Sequence, residues 1–142
     1  LREVVRIKNQ KGQATIEFLV ISTLVFVIIF GAVDYWIATM RIQQGEHIKN
    51  FYLDRARITG YLSEDDRADL VNEMKAIGFK DIVITAPETP VARDINNHPV
   101  IDLVIVVNFA ENPFMLSYVL GTSENTQITF QGRTFSEYYE ST

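Results

Sequence analysis

The sequence predicts an α+β fold in which a long N-terminal helix leads into a small head made of one short helix and an antiparallel sheet of about three strands. Three observations carry this. Phe18 to Val33 contains no charged residue, an apolar run far too long for a strand. Ser63 to Gly78 opens on a capping residue and acids, continues with an apolar stripe and ends on glycine, the pattern of a short amphipathic helix. Three later segments are rich in β-branched residues and set apart by turn formers. A chain of 142 residues has room for one core, so an apolar rod and a small head account for all of it. The expected organisation is a basic leader over 1–12, a helix over 13–58 that is apolar across 18–40, and a head over 61–142.

The first helix follows from FLVISTLVFVIIFGAVDYWIATM, residues 18–40, where Asp34 is the sole charge. As a helix this stretch rises about 35 Å, enough to span a bilayer. Tyr35 and Trp36 near its C-terminal end favour the headgroup level, which sets the outer water boundary near them and near Asp34. Ahead of the run, Arg2, Arg6, Lys8 and Lys11 are opposed only by Glu3, whereas acids outnumber bases beyond it. The positive-inside rule therefore keeps 1–12 cytoplasmic and the head outside. Gly31-Ala32-Val33 before Asp34-Tyr35-Trp36 makes a poor signal-peptidase site, so the run reads as an anchor. From Arg41 to Ile58 the pattern is amphipathic, with Ile42, Ile48, Phe51, Tyr52 and Ile58 expected near one side. A single helix over 13–58 would be about 69 Å long, so its outer half must pack on the head or on neighbours. Gly45 is a candidate weak point and Gly60 a candidate stop.

Ser63 can cap the second helix, Glu64, Asp65 and Asp66 suit the positive end of its dipole, Leu70, Val71, Met74 and Ile77 form the stripe, and Gly78 ends it. Residues 81–85, 100–109 and 126–138 read as the strands. Between the first two, the segment from Pro87 to Pro99 is turn-rich and reads as an exposed loop. Asn112-Pro113 breaks the chain before the apolar segment Phe114 to Gly121, which is either a helical turn capping the sheet or an exposed subunit-binding patch.

Composition narrows the function. A net charge of -5 without a basic cluster in the head argues against nucleic-acid binding, and zero cysteines remove thiolate zinc sites and cysteine nucleophiles. There is no Gly-rich phosphate loop, no Gly-x-Ser-x-Gly and no His-Glu-x-x-His. His47 and His98 lie on different elements and read as surface residues. Asp65, Asp66, Asp69 and Glu73 lack the alternating ligands and central glycine of a calcium loop and read as a solvated helix start. Neither an enzyme nor a cofactor or metal is expected.

The chemistry that remains sits at the start of the rod. Lys11-Gly12-Gln13-Ala14-Thr15-Ile16-Glu17-Phe18 places a base and a glycine before the apolar helix and a carboxylate five positions after the glycine. A carboxylate entering hydrocarbon costs several kcal/mol unless it is protonated or paired, so Glu17 needs a partner. This stretch resembles a prepilin peptidase site of type IV pilins. The resemblance implies a cut between Gly12 and Gln13, Gln13 as the new N-terminus and Glu17 as the assembly glutamate. A cut there would create an α-amine about one turn from Glu17, which a neighbouring subunit shifted along the axis could offer to this carboxylate. Asp34 lies on another side of the helix from Glu17, so one partner cannot serve both. It reads either as a second intersubunit or machinery contact or, with a slight preference, as a solvated residue at the outer interface.

Ala14 to Phe18, then Gly31-Ala32-Val33-Asp34, the amphipathic continuation, a strand, the Pro-containing apolar segment to Gly121 and a final strand resemble the TadE-like pseudopilins, membrane-anchored subunits of tight-adherence pilus machines. The chain departs from them in having Ile21-Ser22-Thr23 where a proline is common. The resemblance implies a structural subunit of a type IV pilus-like surface filament, a homo-oligomer that meets a prepilin peptidase, the pilus assembly machinery and, during biogenesis, the membrane. A minor pseudopilin of the machine and a single-pass anchored binding or sensor protein are the alternatives.

Overall fold

The computed structural model describes residues 2–93, 98–112, 114, 121 and 126–140, with side chains from Gly12 onward. Helix α1 runs unbroken over Arg2–Thr59. It carries straight through Gly12, so the expected leader boundary coincides with no change of backbone. At its far end Gly60 takes φ 82°, a left-handed conformation that costs glycine little, and its N–H reaches back to the Ala56 carbonyl at 2.8 Å. Helix α2 spans Glu64–Ala76. The Ser63 hydroxyl accepts the Asp66 N–H at 3.2 Å and donates to the Asp66 carboxylate at 2.8 Å, as its capping position requires.

Strands β1 (Phe79–Thr85), β2 (Val100–Phe109) and β3 (Gln127–Phe135) form an antiparallel sheet in the order β1-β2-β3. The first begins two residues earlier than its β-branched run suggests, and the last stops before the residues 136–138 included in the expectation. On β2, Ile101, Leu103, Ile105 and Val107 are completely buried while their neighbours are half-exposed, so one face of the sheet is the core wall. α1 packs on the β3 side of that wall and α2 on the β1 side. Tyr52, Leu53, Ala56, Leu70, Met74, Phe79 and Phe130 fill the space between.

The approach of α1 to β3 depends on two absent side chains. A Cβ at Gly45 would lie 2.5 Å from the Phe130 ring, and one at Gly132 would lie 2.8 Å from a Leu53 methyl. Gly45 is therefore no weak point, because the helix passes through it intact and the ring occupies the room a side chain would take. The side of α1 that faces the head also differs in part from expectation. Gly45, Lys49, Tyr52, Leu53 and Ala56 are covered, whereas Phe51 and Ile58 are 52% and 66% exposed. Of the five residues expected near one side, Tyr52 lies in the core and Ile42 and Ile48 pack against it, while Phe51 and Ile58 point away; the small residues Gly45 and Ala56, set by approach distance, complete the covered face. The segment 115–120 lies outside the described residues; Phe114 ahead of it packs against the core.

The far end of the head is stitched to the end of α1 and to the turn after it by main-chain bonds: Leu62 N–H to Pro87 O, Val91 N–H to Gly60 O and Glu137 N–H to Arg57 O. Arg67 adds a side-chain bond to the Ala86 carbonyl at 2.7 Å.

Candidate functional site

The residues singled out at the start of the rod lie on one helical surface. Gly12 is exposed, it has ordinary helical backbone, and a Cβ built on it would meet nothing within 4 Å. Neither a turn nor packing within the chain requires glycine there, although glycine costs an exposed helix about 1 kcal/mol relative to alanine. Gln13 and Glu17 are one turn apart, and the Gln13 amide donates to the Glu17 carboxylate at 3.3 Å. Both are exposed.

From there to Val33 the helix is bare. Phe18, Leu24, Ile28 and Phe30 are 69%, 58%, 62% and 44% exposed, on all sides of the axis. The helix is long and apolar enough to cross a membrane. Its bare part, 12–33, rises about 33 Å, close to the thickness of a bilayer's hydrocarbon core. The Thr23 hydroxyl donates to the Leu19 carbonyl at 2.8 Å, so this polar group needs no outside partner in an apolar setting.

Asp34 stands where the bare helix ends. It is 1% exposed, while Tyr35 and Trp36 beside it are 72% and 64% exposed. The favoured expectation of a solvated residue is corrected: the covered face of α1 begins at Asp34 and continues through Ala38 to Gly45. Asp34 and Glu17 are about 26 Å apart along the axis and are not brought together.

Above Asp34, the polar groups that position the head were largely missed by sequence reasoning. Lys49 is 6% exposed, paired with Glu46, and donates to the Gln131 carbonyl at 3.2 Å. Arg55 meets the buried Asp66 at 2.9 Å, so one acid of the supposedly solvated helix start fastens α2 to α1. The Tyr52 hydroxyl donates to Glu73 at 3.1 Å. Burial first, and then this bond to a carboxylate, push its pKa up to about 12. Only the four-residue spacing of Lys49, Leu53 and Arg57 with Tyr52 and Ala56 could have hinted at a covered helix face, and charge on two of them hid it. His47 and His98 are exposed, and no metal-binding group of three or more His, Asp or Glu occurs among the described residues.

What this arrangement can do is present an apolar rod, with a carboxylate near its N-terminal end, outside a head that grips only the rod's C-terminal half. Residues 12–44 match the family of TadE-like proteins, the family that the N-terminal residues resemble. The match covers Gly12, the bare helix and the first turns of its covered part. No curated protein and no solved structure matches the chain. The matched family is a structural, pilus-associated one of pseudopilin-like proteins, and the apolar helix suits membrane anchoring.

Proposed function

We propose that the chain is a structural subunit of a type IV pilus-like surface filament. It is inserted in the cytoplasmic membrane with its N-terminus inside and its head outside, cut between Gly12 and Gln13 by a prepilin peptidase, and packed through α1 into a helical homo-oligomer. The observation that carries this reading is the division of α1 at Asp34: one face above it is covered, and none of the described residues covers the helix from Gly12 to Val33. A subunit leaving the bilayer would expose that surface to water at about 25 cal/mol per Å² unless like helices replaced the lipid. A bundle of copies meets this demand. Glu17 then finds in a neighbour's new α-amine the counter-charge that a dry bundle requires, in place of the Gln13 amide it holds in the single chain. The unpacked, unturned Gly12 is accounted for by a peptidase that reads it.

The match over 12–44 also favours a second reading, a minor pseudopilin that stays with the assembly machine. Shearing intact cells separates the two. Protein in detergent-free filaments, beginning at Gln13 by mass analysis, supports the filament subunit. Cleaved protein recovered only from membranes by detergent supports the minor subunit, and assembled protein that retains 1–12 overturns the processing step.

A further inference from the structure

Strands β2 and β3 fix which end of the head faces the bare span. Along α1, the Phe130 ring lies against Gly45, the Gln131 carbonyl accepts Lys49, and the Glu137 N–H reaches the Arg57 carbonyl. β3 therefore ascends beside α1, away from the span, and its antiparallel partner β2 descends toward the span. Gln127, where β3 begins, is three residues below Phe130, about 10 Å, which brings it to roughly the level of residue 38 of the helix. It pairs with Asn108, Asn108 pairs with Lys80, and Phe109 beside them pairs with Phe79. The Ala110 N–H donates to the Gly78 carbonyl at 2.8 Å, and the Arg41 guanidinium lies against that glycine, so a separate contact gives a similar height. This row of the head thus stands near the level of residues 38–41, roughly 3–8 Å beyond Trp36. Ala110 and Glu111, both exposed, and Phe114, which packs against the core, follow where β2 leaves the row heading for the span.

We infer that the rim of the head at Ala110, Phe114 and Gln127 rests in the outer headgroup layer while the subunit is in the membrane, so that the head meets phospholipid as well as hanging on α1. The inference rests on the proposed insertion through α1 and names a second surface that meets the bilayer. Height selects this partner. About 20 helical residues from Phe18 fill a hydrocarbon core of about 30 Å and end at Ile37, and the polar layer outside that core is about 5–8 Å thick. A rim at the level of residues 38–41 falls inside this layer, where a membrane-inserted single chain is surrounded by lipid headgroups. Composition agrees. From Asn112 to Ser123 the sequence carries no charge and sets Phe114 and Tyr118 among aliphatic residues, a mixture suited to the interface. Arg41 and Lys80 supply cations near the row, on long stems that can reach lipid phosphate. Of the acids there, Asp81 accepts a hydrogen bond from Asn108 at 3.3 Å, and Glu111 is exposed.

The test uses the full chain, which contains no cysteine, with the fluorophore NBD attached through a single Ala110→Cys, Gln127→Cys, Phe135→Cys or Ile28→Cys change, all at exposed positions. Each variant is reconstituted in vesicles of phosphatidylethanolamine and phosphatidylglycerol that contain a nitroxide lipid, labelled either on the headgroup or at the end of an acyl chain. The headgroup nitroxide should remove half or more of the emission at positions 110 and 127 and little of it at 135, which lies about 26 Å farther along β3 than 127. The acyl-chain nitroxide should quench position 28. Quenching at 28 with positions 110 and 127 as bright as 135 overturns the inference and leaves insertion through α1 standing. Equal headgroup quenching at 110, 127 and 135 also overturns it, because the head would then lie on its side. Absence of acyl-chain quenching at 28 overturns both.

Discussion

Alanine at Gly45 should destabilise the head, although the same replacement in a bare helix stabilises it. The new Cβ would lie 2.5 Å from Phe130 Cζ and 3.1 Å from both Cε atoms. Carbon atoms in contact prefer 3.5 Å or more, so ring and helix must separate by about 1 Å. The ring has little room to retreat. Phe130 is 1% exposed, stands edge-on to Phe79 at 5.8 Å and pairs in register with the buried Ile105. Overpacking of this kind costs about 1–3 kcal/mol, and replacing a helical glycine returns about 1 kcal/mol. The net expectation is a loss of about 1 kcal/mol, read as a fall in Tm of about 5 °C by near-UV circular dichroism of the full chain in micelles. Gly12→Ala, where a Cβ meets nothing, should leave that transition in place or raise helix content. Trimming the ring should relieve the clash, so Gly45→Ala combined with Phe130→Leu should cost less than the sum of the two single changes. If Gly45→Ala raises Tm, or the double variant is merely additive, the close approach of α1 to β3 is not what positions the head.

Three further outcomes can be checked separately. Replacing Gly12 by leucine should leave a longer precursor, visible as a mass increase on immunoblots of membranes, with no assembled product; normal processing would refute the role given to Gly12. Glu17→Ala should insert in the membrane with its head folded but lose incorporation into sheared filaments, since Glu17 lies on the bare helix well away from the head; assembly at the parent level would remove Glu17 from the contact. Tyr52 titrates near 10 in an unfolded chain and at about 12 in the folded one, so its neutral form contributes stability that is complete below pH 10 and lost between 10 and 12. Tyr52→Phe should flatten this part of the alkaline limb in urea melts taken across that range, and an unchanged limb would show that another group sets it.

Elements whose punctuation is local were legible in the sequence. Ser63 and Gly78 bracket α2 by capping chemistry, and Val100 to Phe109 is the strand its β-branched run describes. The side of α1 that meets the head was legible in part, since Ile42, Ile48 and Tyr52 pack on it as the apolar pattern suggests, and the misplacing of Phe51 and Ile58 has a physical reason. The outer half of α1 carries two candidate stripes, one with Phe51 and Ile58 and the other with Gly45, Lys49 and Ala56. Hydrophobicity favours the first, while the close seat on β3 requires the second, because only small residues admit the Phe130 ring and only a long stem reaches the Gln131 carbonyl. Asp34 was misplaced as well. Its charge and its place beside Tyr35 and Trp36 suggested water, and periodicity along one helix does not reveal that this position is 1% exposed. At the candidate site, Gly12, Gln13 and Glu17 were legible as a motif only. Their significance concerns partners outside the chain, so folding within it neither requires nor opposes them.

The continuity of α1 ties the span to the head. There is no break between Gly12 and Thr59, and the head is clamped to the helix from Gly45 to Arg55 by close packing at Gly45 and Gly132 and by the Arg55–Asp66 pair. Head and span therefore move as one body, with no linker to absorb a displacement. Glu17 and Gly45 lie about 42 Å apart on the same rod, and their separation is set by helix geometry. The depth at which the bare span settles in a bilayer is thus transmitted without loss to the height of the head. A flexible hinge at Gly45 would uncouple the two and let each choose its own level. With Phe130 seated against that glycine, a single depth must satisfy both. In the proposed orientation, a subunit drawn outward lifts its head from the headgroups and pulls Glu17 into hydrocarbon in the same movement, where a carboxylate needs a partner.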